Sequence, residues 1–97
     1  MRIVGVSKLH EFWAKHPDAK SSLEAWHAEA VNAVWMTPHD IKSHYGNASI
    51  VGSKRVVFNI CGNKHRLVVH VNYGFDTVSI RFIGTHAEYD KIDVRTI

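Results

Sequence analysis

Between Arg55 and Gly84 the chain alternates apolar and polar residues with a period of two in successive short runs, and this alternation constrains the fold more than any other feature. From Arg55 to Cys61, the residues Val56, Phe58 and Ile60 fall on one side, opposite Arg55, Val57 and Asn59. Gly62-Asn63 follows, a tight-turn signal that predicts an antiparallel return. Over Lys64 to Tyr73, Leu67, Val69, Val71 and Tyr73 share one face, with Arg66, Val68, His70 and Asn72 on the other. Gly74-Phe75-Asp76 predicts another turn, and Thr77 to Gly84 then sets Val78, Ile80 and Phe82 against Ser79, Arg81 and Ile83. Such a meander has one continuous apolar face, which something must cover.

The first half supplies the cover. Arg2 to Val6 reads as a short strand, and Ser7 is placed to cap a helix to about Lys15 with Leu9, Phe12 and Trp13 on one side. Pro17 stops that helix, and Asp18 is placed to cap the next. Leu23, Trp26, Ala30, Val31 and Val34 recur at helical spacing, with Glu24, His27 and Asn32 off the stripe. Thr37-Pro38-His39-Asp40 predicts one further short helix, ended by Tyr45-Gly46-Asn47. Thr85-His86-Ala87-Glu88 has the form of a capping box and predicts a last helical turn. The fold class is α+β: two N-terminal helices packed on one face of a small antiparallel sheet, with a short C-terminal helical turn. With 97 residues and no linker or repeat, residues 1–97 form a single domain.

Composition narrows the function classes. Cys61 is the only cysteine, which excludes an internal disulfide framework and suits a reducing cytoplasm. No apolar run approaches a membrane span. The net charge is +3 with eight histidines uncounted, a basic balance compatible with a polyanionic partner. His39 and His44 are five apart, and His10 and His16 six apart; neither spacing stacks ligands on a helix face, so no metal site and no cofactor are expected.

The polar sheet face carries the chemistry. Asn59, Arg66, His70, Ser79 and Arg81 share it, and no carboxylate falls there to pair the arginines. Two readings are open: an anion site, or an ordinary solvated face. The predicted turn at His86 leaves the end of the strand that carries Arg81, bringing His86 and Tyr89 to the rim of that face.

Three segments carry a family resemblance: Val57-Phe58-Asn59-Ile60, Gly62-Asn63-Lys64-His65-Arg66-Leu67, and Ile80-Arg81-Phe82-Ile83-Gly84-Thr85-His86-Ala87-Glu88-Tyr89-Asp90. They resemble the HigB toxins, in particular a branch with a G-N-K-x-R-L hairpin and a T-H-x-E-Y-D ending. The resemblance implies a RelE-like fold that binds RNA on the sheet, and a messenger-RNA interferase acting on translating ribosomes in the cytoplasm. It also implies a HigA-type helix-turn-helix antitoxin as partner, with operator DNA reached only through that antitoxin. Metal-free RNA cleavage needs groups that orient the chain, stabilise charge on phosphate and move protons. On this basis Arg66 and Arg81 are assigned to phosphate and transition-state binding, His86 to proton transfer and Tyr89 as its alternate. Lys54, Arg55, Lys64, His65 and His70 are assigned to RNA contact. Two other classes stay open: a non-catalytic RNA- or ribosome-binding module using the same face, and a protein-interaction domain that only assembles with a repressor.

Overall fold

The computed structural model describes residues Met1–Ile97. The alternating runs are strands β3 (Arg55–Ile60), β4 (His65–Asn72) and β5 (Thr77–Thr85), flanked by β1 (Arg2–Val4) and β2 (Ser49–Val51). They form a five-stranded sheet in the order β1-β5-β4-β3-β2. β1 runs parallel to β5, with Arg2 opposite Thr77 and Val4 opposite Ser79, so the sheet is mixed rather than wholly antiparallel. The physical reason is the crossover: the chain leaves β1 through the helices before it returns to the sheet. β2, too short to show an alternation, pairs with β3 from Ser49↔Val57 to Val51↔Arg55. The hairpin between β3 and β4 pairs Ile60 with His65, so its connection is Cys61–Lys64 and not the two-residue turn expected. Cys61 and Gly62 there both take positive φ, 55° and 66°.

The helices are α1 (Ser7–Lys15), α2 (Lys20–Asn32), α3 (Pro38–His44) and α4 (His86–Tyr89). Ser7 is the first helical residue and its side chain caps nothing. Asp18 lies in a short 3-10 turn, Pro17–Ala19, and likewise caps nothing. Its carboxylate is drawn away to β4. α2 ends at Asn32, two residues before the last expected stripe residue, and Val31 and Val34 are exposed. The Met1 amino group takes up carbonyls at that end, donating to Ala30 at 3.2 Å and Ala33 at 2.9 Å. α3 and α4 begin as expected, with reciprocal capping boxes Thr37/Asp40 and Thr85/Glu88.

Between the helices and the sheet lies one apolar cluster, in which Leu9, Leu23, Trp26, Trp35, Phe58, Leu67 and Val69 are buried. Trp26 meets Phe58 edge-on at 5.4 Å between ring centroids. The sheet's other face is not fully open. Val57 and Val68 point to it and are buried, although they stand outside the main cluster. Arg55 Nε and Nη2 donate to the Ile97 carbonyl at 2.9 and 2.6 Å, so the chain after α4 returns along this face to the start of β3. Ile92, Val94 and Ile97 are half-buried along that return, while Lys91, Asp93 and Arg95 are exposed.

β5 carries one irregularity that matters for the site. Val68 pairs with Phe82 and the next residue, Val69, with Ile80, which leaves Arg81 as an extra residue in a β-bulge. The bulge inverts the alternation beyond it. Ile83 therefore packs against the helix-side core, and Phe82 moves to the face of Val68, the reverse of the sequence expectation.

Candidate nucleic-acid interface

The bulge sets Arg81 out on the sheet surface, where it is exposed. His70, opposite Ser79 on the neighbouring strand, lies diagonal to it, a relation that brings residues within about 7–8 Å. Arg55 is directly opposite His70 on the far side, and Lys54 precedes it. The His70 imidazole is held below its ordinary range by burial first, and then by the charges of Arg81, Arg55 and Lys54. Cations surround this histidine and no carboxylate offsets them. This end of the face is the anion-attracting one. Arg55 is already engaged with Ile97.

The hairpin end is arranged differently. Arg66 is only 9% exposed, and its guanidinium is tied to the turn beside it. Nη1 donates to the carbonyls of Asn63 at 3.0 Å and His65 at 3.1 Å, and Nη2 donates to Asn63 Oδ1 at 2.9 Å. The turn thus takes up both terminal nitrogens, and what Arg66 offers outward is chiefly its charge. α4 is pinned to the same hairpin, because the His86 N–H donates to the Lys64 carbonyl at 2.9 Å. The His86 ring is exposed, with Nδ1 3.1 Å from Asp90 Oδ2, and Tyr89 is half-buried. Four strand residues separate Arg81 from His86, five steps that span roughly 16 Å of backbone. The structure therefore sets Arg81 beside His70, while Arg66 is turned into the hairpin and His86 and Tyr89 stand on α4 at the far end of β5.

His65 is placed elsewhere. It points to the helix side, 4% exposed, in edge-on contact with Phe12 at 5.0 Å. Its Nε2 lies 3.0 Å from Asp18 Oδ2, while its buried Nδ1 has no partner. The Asp18 carboxyl is held below its usual range, chiefly by the hydrogen bond from His65. Lys64 Nζ stands 4.0 Å from the same carboxylate, on the exposed side of the hairpin. The parity of His65 with Leu67 and Val69 already set it inward in the sequence.

One feature escaped the sequence. A groove of ≈ 350 Å³ runs between α1 and the edge of β5, lined among others by Lys8, Lys15, His16, Arg81 and Phe82. Lys8 and Lys15 are seven apart, two helical turns on one side of α1, and that spacing was the available signal. The bulge that brings Phe82 there has no comparable signature. No group of three or more His, Cys, Asp or Glu is arranged to hold a metal ion, and no helix is long and apolar enough to cross a membrane.

Residues 19–92 of this helix-covered mixed sheet match a family model described as the RelE-like toxic component of a toxin–antitoxin system. The chain belongs to the HigB toxin family. It is also similar to the "mRNA interferase HigB" of Escherichia coli O6:H1, 23% identical over 94 residues that cover 95% of this chain and 91% of that protein.

Proposed function

We propose that this toxin is an endoribonuclease that cleaves messenger RNA and so arrests translation, working on ribosome-bound transcripts in the cytoplasm. The observation that carries the reading is Arg81, set out by the bulge beside His70 and held in no ion pair. Its planar donors suit the oxygens of a phosphodiester, and its charge suits the extra negative charge that develops there. In the reaction the RNA's own 2′-oxygen bonds to phosphorus, the bond to the 5′-oxygen breaks, and a 2′,3′-cyclic phosphate and a 5′-hydroxyl result. The 2′ proton must leave to a base and the 5′-oxygen must gain one.

His70, whose pKa is lowered by burial and by the charges of Arg81, Arg55 and Lys54, is the proton acceptor assigned beside Arg81. His86 and Tyr89, exposed and half-buried at the end of β5, serve as donor to the leaving oxygen or as anchor of the adjoining nucleotide. Arg66 adds its charge from within the hairpin, and Lys54 and Lys64 hold the backbone at the two ends of the face. Arg55 joins them only if its bonds to Ile97 are exchanged for phosphate. A HigA-type helix-turn-helix antitoxin neutralises the toxin, and contact with operator DNA runs through that antitoxin. The family's membership in toxin–antitoxin systems and the name of the E. coli relative support this assignment.

Induction of the chain alone, with transcript 5′ ends mapped, tests the proposal. Growth arrest and new cleavage sites are expected for the wild type and lost in the Arg81→Ala, His86→Ala double variant while both proteins stay folded. A wild-type protein that binds ribosomes yet leaves every transcript whole would remove the enzymatic claim.

A further inference from the structure

We infer that Phe82 is a stacking platform for one nucleobase of single-stranded RNA, seated in the groove between α1 and β5 with its phosphate toward Arg81. The inference rests on the ribonuclease reading above and adds the contact that holds a base.

The placement of Phe82 is its first support. The regular alternation of β5 would have buried this ring with Val78 and Ile80; the bulge at Arg81 turns it out, half-exposed, directly after the arginine assigned to phosphate. Phe12 and Phe58, by contrast, are buried in the core. The second support is Gly84. A Cβ at that position would lie 2.5 Å from Phe82 Cζ and 3.0 Å from Cε1, so the ring tip occupies the space a side chain would fill. The ring is therefore held against the strand, presenting apolar surface to the groove at little cost in freedom.

The groove's charge is the third. Lys8, Lys15 and Arg81 line it, with His16 beside them. Two carboxylates share the groove, Glu11 and Glu88, the latter accepting from the Thr85 N–H at 2.8 Å in its capping box, so three fixed cations outnumber two acids there. Cations around one rigid aromatic ring suit a nucleotide, which brings an anionic phosphate and a flat π-face together. A volume of ≈ 350 Å³ is at the small end of ligand pockets, enough for a nucleotide but not for a folded partner element.

The test uses the whole protein and a short 2′-O-methyl oligoribonucleotide carrying 2-aminopurine, which the missing 2′-hydroxyl protects from cleavage. Stacking on Phe82 should quench the fluorescence on binding. Phe82→Leu should weaken binding roughly tenfold and abolish the quench, leaving the salt dependence set by Arg81 and the lysines unchanged. Phe82→Tyr, which keeps the ring, should restore both. Circular dichroism and a melting curve establish that Phe82→Leu is folded, and Phe82→Met serves as a second non-aromatic replacement. Affinity and quench in Phe82→Leu equal to those of a binding wild type would overturn the stacking platform alone. Loss of antitoxin binding with RNA binding intact would overturn it in favour of a protein-docking role. Failure of the wild type itself to bind the oligonucleotide would instead remove the RNA-face reading on which the inference rests.

Discussion

The Arg66 guanidinium holds Asn63 at two points, its carbonyl oxygen at 3.0 Å and its side-chain Oδ1 at 2.9 Å. This pairing ties the β3–β4 connection to the strand that follows it, and it occupies the two nitrogens an arginine would extend to a phosphate. Lysine keeps the charge but lacks the planar fork. Arg66→Lys should therefore destabilise the fold by about 2 kcal/mol, since hydrogen bonds from charged groups contribute on that order. Urea unfolding should show a lower midpoint for Arg66→Lys and an unchanged one for Arg81→Ala. The cleavage assay should rank them the other way round. Equal midpoints for Arg66→Lys and the wild type would show that the turn does not depend on this contact.

The Asp18–His65 pair predicts an acid-side signature. Because the folded carboxyl lies below its ordinary value of 3.8, its contribution to stability is fully present above that pH. It is lost as the pH falls through the lowered folded value. Wild-type stability should thus drop more steeply below about pH 4 than that of Asp18→Asn, in which this carboxyl is absent. Chemical denaturation at a series of acid pH values reads the difference directly. Parallel curves for the two proteins would remove Asp18 from the acid response.

Much of this architecture was legible in the sequence because the signals were local. The capping boxes at Thr37 and Thr85 depend on residues three apart, and the faces of β3 and β4 follow from parity alone. Arg81 and His70 were placed on one face by the same rule. What failed depended on distant partners. Asp18 has the composition of a helix cap, but its carboxylate is claimed by His65, 47 residues away. Val34 is exposed because α2 ends at Asn32, near carbonyls that the Met1 amino group takes up, and Val31 because the buried stripe runs through Leu23, Trp26 and Ala30 instead. The parity of Phe82 and Ile83 inverted because a bulge is set by the register between two strands. The second face looked open because nothing in the chain after α4 announces that it returns to Arg55.

His70 offers a direct probe of the arginine beside it. Burial and the neighbouring cations hold its pKa below the ordinary 6.5. Removing one of those charges in Arg81→Ala should move the titration of the His70 ring up toward that value without reaching it, since burial is the larger cause. Occupying the face with a phosphate-rich oligonucleotide should move it in the same direction in the wild type. Proton NMR of the ring across pH 4 to 8 follows both. A His70 titration that ignores Arg81→Ala would separate the two residues and remove the base assignment. The same substitution should lower cleavage about a hundredfold, the scale on which a transition-state charge contact acts.

Arg55 connects the second face to the end of the chain. Its two bonds to the Ile97 carbonyl hold residues 91–97 along the sheet, over the face where Val57 and Val68 are buried. Arg55→Ala removes the hold while leaving the helix-side core intact, so unfolding should remain cooperative with a loss of about 1–2 kcal/mol. Local opening should be much greater than this global loss suggests. The amides of residues 92–97 should exchange hydrogen markedly faster than in the wild type. Leu67 and Val69, which face the helices, should keep their protection relative to global stability. Unchanged exchange over 92–97 would mean that the apolar contacts of Ile92, Val94 and Ile97 hold the segment by themselves, with Arg55 free to turn to a phosphate.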